Sequence, residues 1–228
     1  MKYTSQIVAA GSGSIGGCTF SRNRSGAYIR NRAIPVNPTS ASQVLVRGAL
    51  ATLVARWTSV LTPAQRTAWE TWAANTPQTD ALGNPINITG QNAYVMMNTL
   101  RIQTGIAVID VAPIVFANAV LTPPGIVSAT GSTDVLSISF TNTDLWATAV
   151  GGRLMVFIGR PQNPSKVFFG GPYRYAGAIN GAVVPPTSPL PITSPFDFTA
   201  SQRIHVRFRA INADGRISTS WKSSIIAV

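Results

Sequence analysis

A chain of 228 residues with 45% hydrophobic side chains can build one large domain or two of about 100 residues each, and is too apolar for a disordered chain. Its 18 basic and 7 acidic residues leave a formal charge of +11, and every cation except Lys2, Lys166 and Lys222 is an arginine, which suits bidentate or stacked contacts. A single cysteine, Cys18, excludes an intrachain disulfide and a cysteine metal site.

Residues 2–36 read as strands punctuated by glycine. Ile7–Ala10 is too short for the apolar core of a secretory signal, and no segment reaches the roughly 18 apolar residues of a membrane span, so synthesis in the cytoplasm and no membrane partner are expected. Cys18–Phe20 is a strand candidate, Arg22-Asn23-Arg24-Ser25-Gly26 a turn, and Ala27–Arg32 the returning strand. This β-arm carries Arg22 and Arg24 at its tip and Arg30 and Arg32 on the return, all four candidates for contact with a partner. Cys18 is expected to fill a small packing space. A phosphate loop opens a helix directly and carries Gly-Lys-Ser/Thr, and neither feature is present, so an arm that packs on a neighbour is the better reading.

Ala33–Pro38 is extended by its prolines and leads to a helix cap at Thr39 or Ser40. Val46, Ala49, Leu50, Leu53, Val54, Trp57, Val60 and Leu61 follow the three-and-four spacing of one helix face. Thr62-Pro63-Ala64-Gln65 is a capping box with proline at the first helical position, and opens a second helix bearing Ala68, Trp69, Trp72 and Ala73. The two helices are expected as a hairpin whose tryptophans close a small core, with Glu70 solvated. After a turn at Asp80–Pro85, a third helix is expected over 91–104, ended by Gly105.

These residues carry a resemblance. Gly13-Ser14-Ile15-Gly16-Gly17, Phe20-Ser21-Arg22-Asn23-Arg24, Gly26-Ala27-Tyr28-Ile29-Arg30, Pro35, Pro38-Thr39, Gln43 and Arg47 are followed by Leu61-Thr62-Pro63-Ala64-Gln65-Arg66-Thr67-Ala68-Trp69. The pattern, over about residues 4–105, resembles a group of proteins encoded in bacteriophage and prophage genomes. It implies a structural role in the virion and supplies no catalytic residues.

Leu121-Thr122-Pro123-Pro124-Gly125 reads as a rigid linker between domains 1–121 and 122–228. Beyond it the apolar period becomes two: Leu136, Ile138, Phe140; Leu154, Val156, Ile158; Ile204, Val206, Phe208, Ala210. Asp214-Gly215 marks a hairpin turn. The expected class is therefore an α+β N-terminal unit, with a β-arm, a helical hairpin and a third helix, followed by an all-β sandwich. The linker prolines, Leu136–Thr141, Val206–Asn212 and Gly215–Ser218 resemble a fibronectin type III domain, a binding or spacer module. The sequence departs from that family at Phe140, where a tryptophan is usual, and over Pro161–Ser201, which reads as a proline-rich insertion.

Catalysis is poorly provisioned. Glu70 is the only glutamate, the six aspartates are scattered, and no two carboxylates share a face at short spacing, so glycosidase and two-metal chemistry lack support. No Gly-x-Ser-x-Gly elbow accompanies His205. No cofactor is expected, and the chain reads as a non-enzyme. Tyr173-Arg174-Tyr175 is a candidate exposed contact patch. Arg203, Arg207 and Arg209 alternate with apolar residues, so they share one strand face with His205 and read as a solvated stripe or a contact for an acidic neighbour. The expected partners are other virion proteins, capsid or tail, met in symmetric copies, with the virion as the final location. Splitting the charge near Thr122 gives nine basic and three acidic residues before it and nine and four after, a spread that disfavours a nucleic-acid patch. A carbohydrate-binding adhesin module is the third reading.

Overall fold

A computed structural model describes residues 12–23, 26–34, 36–80 and 83–228. It is mixed α+β, and the chain divides into two compact units, Met1–Ala41 and Ser42–Val228. The boundary expected between residues 121 and 122 falls inside the second.

The first unit holds the antiparallel strands β1 (Gly13–Ile15), β2 (Cys18–Asn23) and β3 (Gly26–Asn31) in that order. Gly16, at φ +57°, turns β1 into β2, and the Arg32 N–H donates to the Gly17 carbonyl at 2.8 Å to close the far end. Pairing Ile15 with Cys18, Phe20 with Ile29 and Arg22 with Ala27 gathers the apolar side chains on one face. Ser14, Thr19, Ser21, Tyr28 and Arg30 take the other. None of the described side chains of this unit is buried.

The second unit opens with α1 (Ala41–Ser59), α2 (Pro63–Asn75) and α3 (Gly90–Gln103). Thr62 and Gln65 form the expected capping box, with Gln65 Oε1 accepting the Thr62 N–H at 2.8 Å and Thr62 Oγ1 accepting the Gln65 N–H at 3.3 Å. Gly105, at φ +72°, ends α3 as expected. Leu53, Trp57, Leu61, Trp69, Trp72, Tyr94 and Met97 share one core, with Trp69 edge-on to Tyr94 at 5.5 Å. The tryptophans are core, but the hairpin is only half of what was expected. The principal helix partner of α2 is α3, and α1 contributes only Ala49, Leu53 and Trp57. Val44, Leu45, Val46, Leu50 and Val54 of α1 are exposed.

The segment after α3 ties this core together. The Trp69 indole N–H donates to the Asp110 carbonyl at 2.9 Å and that of Trp72 to the Val115 carbonyl at 3.0 Å. Asn98, fully buried, accepts the Ile109 N–H at 2.8 Å and donates to the Ile109 and Tyr94 carbonyls. Glu70 is exposed but not merely solvated, because its carboxylate accepts the Gly90 N–H at 2.8 Å at the start of α3.

After a short hairpin of β4 (Gln78–Thr79) and β5 (Pro85–Ile86), the remaining strands are β6 (Gly125–Thr130), β7 (Val135–Ser139), β8 (Arg153–Gly159), β9 (Tyr173–Asn180), β10 (Leu190–Thr193), β11 (Arg203–Ile211) and β12 (Trp221–Ile226). They form two antiparallel sheets, in orders β10-β7-β6 and β12-β11-β8-β9. One core joins them, from Ala129, Leu136 and Ile138 on the first sheet to Leu154, Val156, Ile158, Ile204, Val206 and Phe208 on the second. Trp146 fills it beside Phe140, ring centroids 5.3 Å apart. The stretch expected as an insertion, 161–201, supplies β9 and β10 and so belongs to both sheets. The helical and β parts also share a core. Met155, Phe157, Ile211 and Ile217 are buried with Met96 and Leu100 of α3 against them. Arg101 of α3, itself buried, donates to the Ala107 carbonyl at 2.7 Å and to the Ala213 carbonyl at 3.4 Å.

Candidate functional site

The outward face of the four-stranded sheet is where most of the candidate residues meet. Register places Lys222, Arg207, Phe157 and Tyr175 in one row across β12, β11, β8 and β9. The next row is Ser224, His205, and Gly159 paired with Tyr173. Arg203, Arg207 and Arg209 do share a face, as the alternation predicts. That face is not a solvated stripe. His205 is only 4% exposed, stacked on the Phe169 ring at 5.3 Å, with Nε2 3.0 Å from the Lys166 carbonyl oxygen. Gly159 permits this cover, because a Cβ there would meet the Phe169 ring. Burial lowers the His205 pKa, the Lys166 carbonyl opposes the shift, and the Arg203 and Lys166 charges reinforce it.

Each arginine of the stripe has a different environment. Arg203 donates to the Pro164 carbonyl at 2.8 Å and to Ser224 Oγ at 3.2 Å. Arg209 donates to the Ser218 carbonyl at 3.0 Å, and burial, with the Arg207 charge second, pulls its pKa down. Arg207 lies over two rings, 4.7 Å from the Phe157 centroid and 5.2 Å from Tyr173, with Lys222 5.9 Å from the same Tyr173 ring. Among the described residues, the carboxylate ion pairs are Arg56 with Asp110 and Arg216 with Asp214, and neither touches this face.

The Tyr-Arg-Tyr run is split by its strand. Tyr173 and Tyr175 turn to the sheet face, half-buried; the Tyr173 hydroxyl donates to the Phe169 carbonyl at 3.0 Å, and Tyr175 meets Phe157 edge-on at 5.7 Å. Arg174, exposed, lies 5.1 Å from the Phe196 ring. It is not an exposed patch of three residues acting together. Phe157, Phe169 and Lys222 are the members sequence reasoning missed. Phe157 and Lys222 are legible once the register with Arg207 is known, but Phe169 reaches the face from a loop and leaves no periodic signal.

The arm carries the other candidates. Arg22, Arg30 and Arg32 are exposed, Arg22 on the apolar face of the sheet and Arg30 on the polar face. Arg24 lies outside the described residues. Cys18 is exposed on the apolar face, not packed as expected. One signal was overlooked: Glu70 is the first acidic residue in the chain, so Met1–Ala41 holds Lys2, Arg22, Arg24, Arg30 and Arg32 with no carboxylate at all.

Among the described residues, no group of three His, Cys, Asp or Glu side chains is placed to hold a metal, and no helix is long and apolar enough to cross a membrane. Comparison with protein-family models and with curated proteins gives no match.

Proposed function

We propose that this chain is a non-enzymatic structural subunit of a phage particle, a head decoration or cement protein or a tail accessory protein, and that its arm attaches it. The observation that carries this reading is the arm itself. It is a three-stranded sheet with an apolar face and no buried side chain among those described. A small sheet with an apolar face suits an arm that packs on a neighbouring subunit, its partner in this reading. Five cations and no carboxylate make that partner acidic where the arginines lie. The exposed half of α1 adds a second apolar surface of the kind subunits bury on assembly. The resemblance over residues 4–105 points the same way. A three-stranded and a four-stranded antiparallel sheet around one core support a fibronectin type III-like sandwich, a module suited to spacing or binding. Mass spectrometry of purified particles should find the chain as a stoichiometric component. A chain absent from particles that instead binds DNA with a steep salt dependence would favour the nucleic-acid reading.

A further inference from the structure

The row Lys222–Arg207–Phe157–Tyr175 adjoins an open groove of about 340 Å³, lined by Phe168, Phe169, Tyr173, His205, Lys222 and Ser224. We propose that this groove binds a carboxylated sugar, a hexuronate unit of an acidic polysaccharide, with the carboxylate held by Lys222 of the lining and by Arg207, its cross-strand neighbour just outside that lining. The inference is independent of the particle reading.

Charge supplies the first argument. Arg207 and Lys222 are directly opposite one another on β11 and β12, where like charges oppose each other. Both rest against the Tyr173 ring, and among the described residues neither side chain has a hydrogen-bond or carboxylate partner. An anion held by both would remove the repulsion and take charge-assisted hydrogen bonds from each. The neighbouring cations are already engaged: Arg203 by Pro164 and Ser224, and Arg209 by Ser218. The site therefore offers one point of positive charge. A nucleic-acid strand needs a charged groove that follows its backbone, and a single carboxylate per ligand unit fits better.

Shape and lining supply the second. The groove falls at the small end of ligand sites, roughly 300–1,000 Å³. Ser224, whose hydroxyl accepts from Arg203, and Phe168, an aromatic side chain 77% exposed, share the lining with Lys222. Hydroxyl, cation and an exposed aromatic side chain together match a sugar ring, which presents C–H groups on one side and hydroxyls at its edge.

Calorimetric titration of the full chain at low salt with trigalacturonate, maltotriose, hexaglutamate and a thymidine hexanucleotide tests the assignment. Trigalacturonate should bind and maltotriose should not. Arg207→Gln and Lys222→Gln should each weaken trigalacturonate by about tenfold, the loss of a charge-assisted hydrogen bond. Arg160→Gln, which lies at a different groove beside Phe196, should leave binding unchanged. All three variants should keep the parent unfolding midpoint; if Arg207→Gln lowers it, Lys222→Gln, altered at an exposed position, decides. No binding of trigalacturonate, unchanged affinity in both groove variants, or equal or tighter binding of hexaglutamate or the hexanucleotide would overturn the proposal.

Discussion

Asp110 shows how much one partly buried carboxylate can hold. It accepts two hydrogen bonds from Arg56, at 2.9 and 2.7 Å, and one from the Tyr94 hydroxyl at 3.2 Å, while its carbonyl takes the Trp69 indole. The hydrogen bonds from Arg56 hold its carboxyl below the usual range, burial works against them, and the Arg56 charge and Tyr94 add to the lowering. Because the folded pKa is depressed, this stability is present above the ordinary value of about 3.9 and is lost as pH falls through the folded one. Asp110→Asn should cost about 1–2 kcal/mol near neutral pH, an amount discounted because the Arg56 side chain is partly exposed. It should also flatten the acid limb of the stability curve, as measured by urea unfolding at several pH values. His205 behaves in the same direction for a different reason. Its pKa is depressed by burial under Phe169, so stability present above about 6.5 is lost as pH falls through the folded value. Gly159→Ala should push Phe169 away and bring the His205 pKa, followed by NMR, back towards the ordinary one.

At the scale of elements, the contact between α3 and the four-stranded sheet makes the helical and β parts depend on each other. Met155 is fully buried beneath Met96 and Leu100. Met155→Ala should cost about 2–5 kcal/mol and lower the helical and β signals of thermal unfolding together; separate transitions would show two independent cores. Gly152 and Gly181 both lie against the Trp146 backbone carbonyl, where a Cβ cannot fit, so alanine at either should destabilise the sheet packing by more than a typical surface change of about 0.5 kcal/mol. The elements that were legible in the sequence are those specified locally. The Thr62–Gln65 capping box, the Gly105 stop and the inward alternation of Ile204, Val206 and Phe208 each follow from residues within a few positions. What covers the other face of β11 was not legible, because Phe169, Phe157 and Tyr173 arrive from strands and loops more than thirty residues away. The exposed half of α1 was missed for a related reason. Leu50 and Val54 keep the helical spacing yet stand exposed beside the buried Ala49, Leu53 and Trp57, and periodicity does not record how wide a strip the partner covers.

At the scale of the whole molecule, the second unit has three buried clusters and the first has none among its described residues. Strands without a core open at little cost, whereas strands inside one exchange only near global unfolding. Amide hydrogen exchange followed by mass spectrometry, comparing residues 13–31 with β8 and β11 in the free chain and in purified particles, tests this most directly. The expected result is fast exchange of 13–31 in the dilute chain, slow exchange of β8 and β11 in both states, and strong protection of 13–31 only in particles. Equal protection of 13–31 and β11 in the dilute monomer, or unprotected arms in particles, would contradict it.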